Sequence, residues 1–341
     1  MRNRTIVLVL FATGAVALVG GCGKSEEEVI VYTALDRQFS EPILQQFTRE
    51  TGIKVRLVDD TESTKTVGLV NRIRSEANRP RCDVFWNNEI LNTLRLKSEG
   101  MLQSCRPSEA VNYPESYRDA EGYWHGLAAR ARVIIVNTDL VEPEEMPSSI
   151  KDLSDPKWKG QAGIAKPLFG TTASHVACLF ALLGQDEAAA LLASFKENGV
   201  QVVAGNKTCA EMVSAGRLAF GLTDTDDAII EKEAGKPVAI VFPDGGPDEM
   251  GTLLLPNTLG LVAGCPHREA GIRLINYLLS AEVEERLAEG PSAQIPLHAK
   301  ARKRSRACEL SDLRQMEVDF AEAAEVFEVA SQHIEDRFLA P

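Results

Sequence analysis

Tyr123-Trp-His-Gly126-Leu-Ala-Ala-Arg130-Ala-Arg132-Val-Ile-Ile-Val-Asn137 is the stretch on which the fold turns. It opens with aromatics on a glycine turn and closes in an unbroken apolar run, the pattern of a buried strand. Residues i and i+2 of a strand share a face, so Arg130 and Arg132 point the same way. Arginine rarely enters a core strand without a partner. An anionic group is therefore expected there, either a structural carboxylate or a ligand. One α/β unit precedes this strand and another follows it, which makes it a crossing between two lobes with a cleft at their junction.

Working outward, apolar strands are expected at Val29–Thr33, Ile53–Val58 and Cys82–Trp86, alternating with helices that start at Ser40-Glu41-Pro42, after Thr64 and at Ile90. This rhythm gives a parallel sheet covered by helices. Ligands bind such sheets beyond the strand C-termini, where helix N-termini offer free N–H groups. Three loops fit: Thr33–Arg37, Thr61–Thr64 and Asn87–Glu89. Ser63, Thr64, Asn87 and Asn88 could donate there, although helix capping is the simpler role for each. Downstream, strands are expected at Gln161–Ala165, Val200–Val203, Leu218–Leu222 and Val238–Phe242, with helices between them. Asp244–Asp248 would cross back. Thr258–Val262 and the helices Pro266–Leu279 and Ala281–Ala288 would rejoin the first lobe. A helical spacing of apolar residues predicts a helix over Glu309–Phe338.

The first residues read as an export address. Arg2 and Arg4 precede the apolar run Ile6–Val19, followed by Gly20-Gly21-Cys22. The run is short for a membrane span and ends in small residues, as a cleaved signal does. A cysteine directly after the small pair is similar to the bacterial lipobox, which makes Cys22 the lipidation site. The expected organisation is 1–21 signal peptide, 22–28 lipidated tether, 29–130 first part of lobe 1, 131–248 lobe 2, and 249–341 return to lobe 1 with C-terminal helices. The net charge of −12 argues against a nucleic-acid partner. Six other cysteines (82, 105, 178, 209, 265, 308) form no CxxC pair, and an even number in an exported chain suggests disulfides. Sequential pairing, 82–105, 178–209 and 265–308, keeps each bridge local among fifteen possibilities. The basic run Lys300–Arg306 reads as a solvated loop or a contact for acidic surfaces or lipid heads.

The candidate pocket mixes cations (Arg37, Arg130, Lys166) with acids (Asp36, Glu62, Glu89, Asp224, Asp226) and neutral donors (Thr33, Ser63, Thr64, Thr171, Thr172). Arginine beside hydroxyls suits an oxyanion, and clustered carboxylates suit a hard cation or an ammonium group. Together they fit a zwitterion, or a metal with an accompanying anion. Acids at the start of a helix after Leu222 are also favoured by the helix dipole alone. No GxSxG, HExxH or P-loop occurs, and the five histidines have no ligand-like spacing, so nothing nominates an enzyme.

Several pieces in order, Val31-Tyr32-Thr33, Phe47 with Thr51-Gly52-Ile53-Lys54-Val55, Cys82-Asp83-Val84-Phe85-Trp86, Trp124 with Gly126-Leu127 and Arg130-Ala131-Arg132-Val133, and Asp155-Pro156 with Trp158-Lys159-Gly160, resemble the ferric-iron-binding group of ABC-importer solute-binding proteins. The resemblance spans roughly Val29 to Ala288. It implies the type II periplasmic binding protein fold: α/β, with two Rossmann-like lobes, a hinge and an interlobe cleft. It also implies a monomer that delivers cargo to a membrane permease and its ATPase subunit. In that group a tyrosine pair ligates Fe³⁺, and this chain carries Asp226 and Asp227 at the matching positions. Asp36-Arg37 stands where a His or Tyr is common. Arg130 matches the arginine that holds the companion anion. The metal reading has Asp224, Asp226 and either Asp36 or Glu62 on Fe³⁺, with a carbonate-like anion on Arg130. The organic reading, a sugar phosphate or aminophosphonate, has Arg130, Ser63, Thr64, Thr171 and Thr172 on the acidic group and Asp224 and Asp226 on an amine. A sensor for a membrane signalling partner and an exported hydrolase are the readings from other classes.

Overall fold

The computed structural model describes residues 27–60 and 66–340. The signal, Cys22 with most of the tether, and Glu62, Ser63 and Thr64 lie outside the described residues. The first lobe begins with β1 (Glu28–Thr33), α1 (Arg37–Thr51), β2 (Lys54–Asp59), α2 (Val67–Ser75), β3 (Val84–Asn87), α3 (Leu91–Ser98) and the short β4 (Leu102–Gln103). β1 pairs in parallel with β2 and β3, as alternating strands and helices require. β5 (Trp124–Asn137) is the quoted stretch, and all fourteen of its residues are buried.

The second lobe contains β6 (Ala162–Ala165), α4 (Gly170–Leu183), α5 (Gln185–Glu197), β7 (Gln201–Val203), α6 (Asn206–Ser214), β8 (Phe220–Asp224), α7 (Thr225–Glu233) and β9 (Val238–Val241). β10 (Leu254–Val262), α8 (Arg268–Leu278) and α9 (Ala281–Glu289) return to the first lobe, and α10 (Phe320–Glu325) and α11 (Phe327–His333) end the chain. The strand order is β2-β1-β3-β10-β5-β8-β6-β7. The first half of β5 pairs antiparallel with β10, and its second half pairs with β8 and β9. One strand thus belongs to both lobes.

Three expectations are corrected. β8 runs two residues further than expected, to Asp224, which puts that carboxylate in the sheet directly opposite Arg132. The long C-terminal helix is absent before Phe320. Residues 313–319 are non-helical instead, with Gln315 bridged to Thr252, and Met316 is buried from this segment rather than from a helix face. Phe327, Ala330, Ile334 and Phe338 pack into the core of the second lobe, while Arg95 of α3 lies over the Phe327 ring at 4.5 Å. Finally, the six cysteines are free thiols. Cys178 and Cys209 are fully buried on separate helices, and Cys105 faces His125 Nε2 at 3.6 Å. A bridge needs close, facing Cβ atoms, and even spacing along the chain does not supply them. The basic run is engaged within the molecule. Arg306 pairs with Glu233 of α7 at 2.6 Å and donates to the Glu289 carbonyl at 2.7 Å, and Lys303 pairs with Glu289 at 2.8 Å.

Candidate functional site

The two arginines of β5 take separate partners at the start of α7. Arg132, fully buried, donates through Nη1 to Asp224 Oδ1 at 2.7 Å, Asn206 Oδ1 at 3.0 Å and Thr171 Oγ1 at 3.2 Å, and through Nη2 to Thr172 Oγ1 at 3.2 Å. Asp224 Oδ2 accepts from Thr171 Oγ1 at 2.6 Å and Asn206 Nδ2 at 2.9 Å. Burial pushes the Asp224 carboxyl up, but Arg132, Arg130 and Thr171 outweigh it and hold the group below the usual carboxylate range. Both oxygens of Asp224 are thereby occupied. Thr171, Thr172 and Asp224, expected at the ligand, form with Arg132 and Asn206 a network that joins α4, α6 and β8. This is the paired-carboxylate reading of a core arginine.

His175, one turn along α4, is buried beside this network. Burial, helped by Arg132, holds its imidazole down at about 3, so it stays neutral.

Arg130 differs. Its Nη1 lies 3.1 Å from Asp226 Oδ2, and its Nη2 reaches Asn257 Oδ1 only at 3.5 Å. Its Nε has no hydrogen-bond partner among the described residues. Burial disfavours its charge, yet Asp226, Asp224, Asp36 and Asp227 together raise its pKa above the ordinary value. Asp224, Asp226 and Asp227 each bring an oxygen within 4.8 Å of the others. Four carboxylates therefore surround two guanidiniums, and Asp227 and the N-cap residue of α1, Asp36, are only partly buried.

Other expected residues lie elsewhere. Arg37 is exposed and pairs with Glu41 at 3.1 Å and Asp59 at 3.7 Å. Starting α1 at Arg37 turns its side chain outward. Glu89 accepts the N–H groups of Leu91 at 2.7 Å and Asn92 at 3.2 Å, so it caps α3. Asn87 supports it through Nδ2 to Glu89 Oε1 at 2.7 Å, and Ser174 of α4 donates to Glu89 Oε2 at 2.8 Å across the lobes. Capping is what these two residues do. Lys166 sits 5.5 Å over the Phe169 ring. Three of the tyrosines are hydrogen-bonded away from the Asp cluster: Tyr32 donates to Glu76 at 2.8 Å, Tyr113 to Leu279 O at 3.0 Å and Tyr117 to Gln315 at 3.3 Å. Sequence reasoning missed Asn206, whose only signal was its place after Gly205 at a helix start, and it missed Asn257.

A sequence model described as bacterial extracellular solute-binding protein matches residues 92–322. The chain belongs to this family. It is 30% identical over 294 residues to iron uptake protein A1 of Synechocystis sp., covering 80% of this chain and 79% of that one. Among solved structures, iron-bound HitA from Pseudomonas aeruginosa superposes with a TM-score of 0.81 at 23% identity, covering 90% of this chain and 99% of that chain. AfuA from Actinobacillus pleuropneumoniae, with exogenous fructose-6-phosphate bound, does so with 0.82 at 20% identity, covering 93% and 100%. The solute-binding protein thus has the type II periplasmic binding protein fold, and its family and neighbours are binding proteins.

Proposed function

We propose that this solute-binding protein is the capture component of an ABC importer and that its cargo is ferric iron with a small companion anion. The observation that carries this reading is the cluster of Asp224, Asp226 and Asp227, each of which brings an oxygen within 4.8 Å of the others. Arg132 offsets Asp224 and Arg130 offsets Asp226, while Asp36 and Asp227 add negative charge beside them. A hard cation takes oxygen ligands, and a ferric ion would draw Asp226 and Asp227 as the phenolates are drawn in the resembled group. The Arg130 Nε is a buried donor suited to the companion anion. The 30% identity to an iron uptake protein supports the same cargo. The lobes, 29–130 with 249–312 and 131–248 with the C-terminal helices against it, would close on the cargo and present it to a permease and its ATPase. No catalytic role is assigned. Cys22 would carry the lipid that tethers a monomer outside the cytoplasmic membrane.

A phosphorylated or zwitterionic compound is the second reading, favoured by the same juxtaposition of an oxyanion donor with Asp226. A thermal-shift screen of residues 23–341, stripped by unfolding and refolded, separates the two. Ligand at a hundred times its dissociation constant adds about 2.7 kcal/mol. Ferric citrate should stabilise the protein, and a chelator should reverse the shift. A shift only with sugar phosphates or aminophosphonates would overturn the iron reading.

A further inference from the structure

Ala128 in β5 has φ +31°, a backbone angle that residues with a side chain rarely adopt. It is the extra residue of a β-bulge: Pro256 pairs with Ala129 while Asn257 pairs with Leu127, so β5 has one residue more than β10 at this point. Pro256 accounts for the break, because it has no N–H to give the ladder. The orphaned polar groups of the bulge are taken by side chains. Glu284 of α9, fully buried, accepts the Ala128 N–H at 2.8 Å through one oxygen and the Leu297 N–H at 2.7 Å through the other. Asn257 donates to the Ala128 carbonyl and to Gln294 Oε1 at 2.8 Å, and its own oxygen faces Arg130.

A bulge shifts everything beyond it by one residue against the partner strand, and a one-residue shift exchanges the two faces of a strand. Residues 124–127 are fixed against β10 on one side of the extra residue. Arg130 and Arg132 lie on the other side. Their direction therefore depends on the extra residue staying at position 128. A buried carboxylate costs more than an amide or an apolar side chain unless its charge strengthens a needed bond.

We propose that Glu284 is a positioning residue for cargo capture, holding the Ala128 bulge and so fixing the face of β5 from which Arg130 meets Asp226. This rests on the reading of the Arg130–Asp226 pair as the cargo site. The ligand-free protein is treated with phenylglyoxal, which modifies accessible guanidiniums, and Arg130 is followed by peptide mass spectrometry. Arg130 should react slowly in the native chain, at least tenfold faster in Glu284→Ala, and at a near-native rate in Glu284→Gln, which keeps an acceptor for Ala128. An unchanged Arg130 rate in Glu284→Ala overturns the proposal, and so does a rise shared by Arg95 of α3, which would mean general loosening. Should Glu284→Ala fail to fold, Glu284→Leu, which fills the space but also removes the acceptor for Ala128, takes its place, with the same rise expected and the same constancy fatal. Ferric citrate titrations then separate the two readings. If Arg130→Ala leaves ferric binding intact, the cargo site is misplaced and the labelling still judges the bulge. If Arg130→Ala weakens binding and Glu284→Ala adds its full effect on top, the two residues are not coupled and the positioning role fails.

Discussion

Replacing Arg132 by Met removes four hydrogen bonds at once and leaves Asp224, only 2% exposed, without its cation. Thr171 and Asn206 still donate to Asp224, but neutral donors do not neutralise a buried charge. Removing one partner of a buried ion pair typically costs about 3–5 kcal/mol. The loss should depend on pH. Without Arg132, burial acts on Asp224 against only Arg130 and Thr171 and its pKa rises, so protonation relieves the penalty at pH 5 more than at pH 8. In the native chain the Asp224 pKa is held down, so its stabilisation is present above about pH 4, the ordinary range, and is lost only below it. Urea unfolding followed by circular dichroism tests this at both pH values. With a slope of about 3 kcal/mol per molar, a 4 kcal/mol loss moves the midpoint by roughly 1 M. Arg132→Met/Asp224→Leu should recover much of the loss, since replacing both ions avoids a stranded charge. A single variant within about 1 kcal/mol of native at pH 8 would refute the structural assignment and return Arg132 and Asp224 to the cargo.

Arg130→Ala should weaken capture by about 2 kcal/mol or more through loss of a buried charge-assisted contact, read by isothermal titration with ferric citrate; unchanged affinity would sink the assigned site. Asp226→Asn should lower ferric affinity far more than it lowers binding of an anion without an amine, and equal losses would remove Asp226 from the metal. Burial pushes the Glu284 carboxyl up to about 7 against the bonds from Ala128 and Leu297, with Tyr113 and the His298 backbone nearby. A raised carboxyl means the folded state holds a proton that the unfolded chain has lost. Stability should therefore fall as pH rises from about 4.5 to about 7, by on the order of 3 kcal/mol. Glu284→Gln should flatten that slope in urea titrations, and a slope that persists would assign it to other groups. Six thiols should titrate in the denatured 23–341 chain without reductant, and fewer would restore a disulfide.

Some of this was legible in the chain. An apolar run led by two arginines identified a buried strand needing anionic partners, and β5 with its two Asp pairs is that strand. Alternating apolar and amphipathic segments carried the α/β order, because local periodicity is written in neighbouring residues. Asp226 and Arg130 could be nominated together because each stood in a recognisable motif. What depended on distant segments was not legible. Whether Asp224 was a ligand or a structural partner turned on β8 running two residues further and landing it opposite Arg132, a matter of register. The cysteine pairing failed because bridges follow facing Cβ atoms, which spacing along the chain does not report. Least visible was the bulge. Pro256 is a local signal, but the extra residue appears only when two strands 120-odd positions apart are laid side by side, and α9 must then arrive to hold it. Residue type supplied the charges, and strand pairing decided where they point.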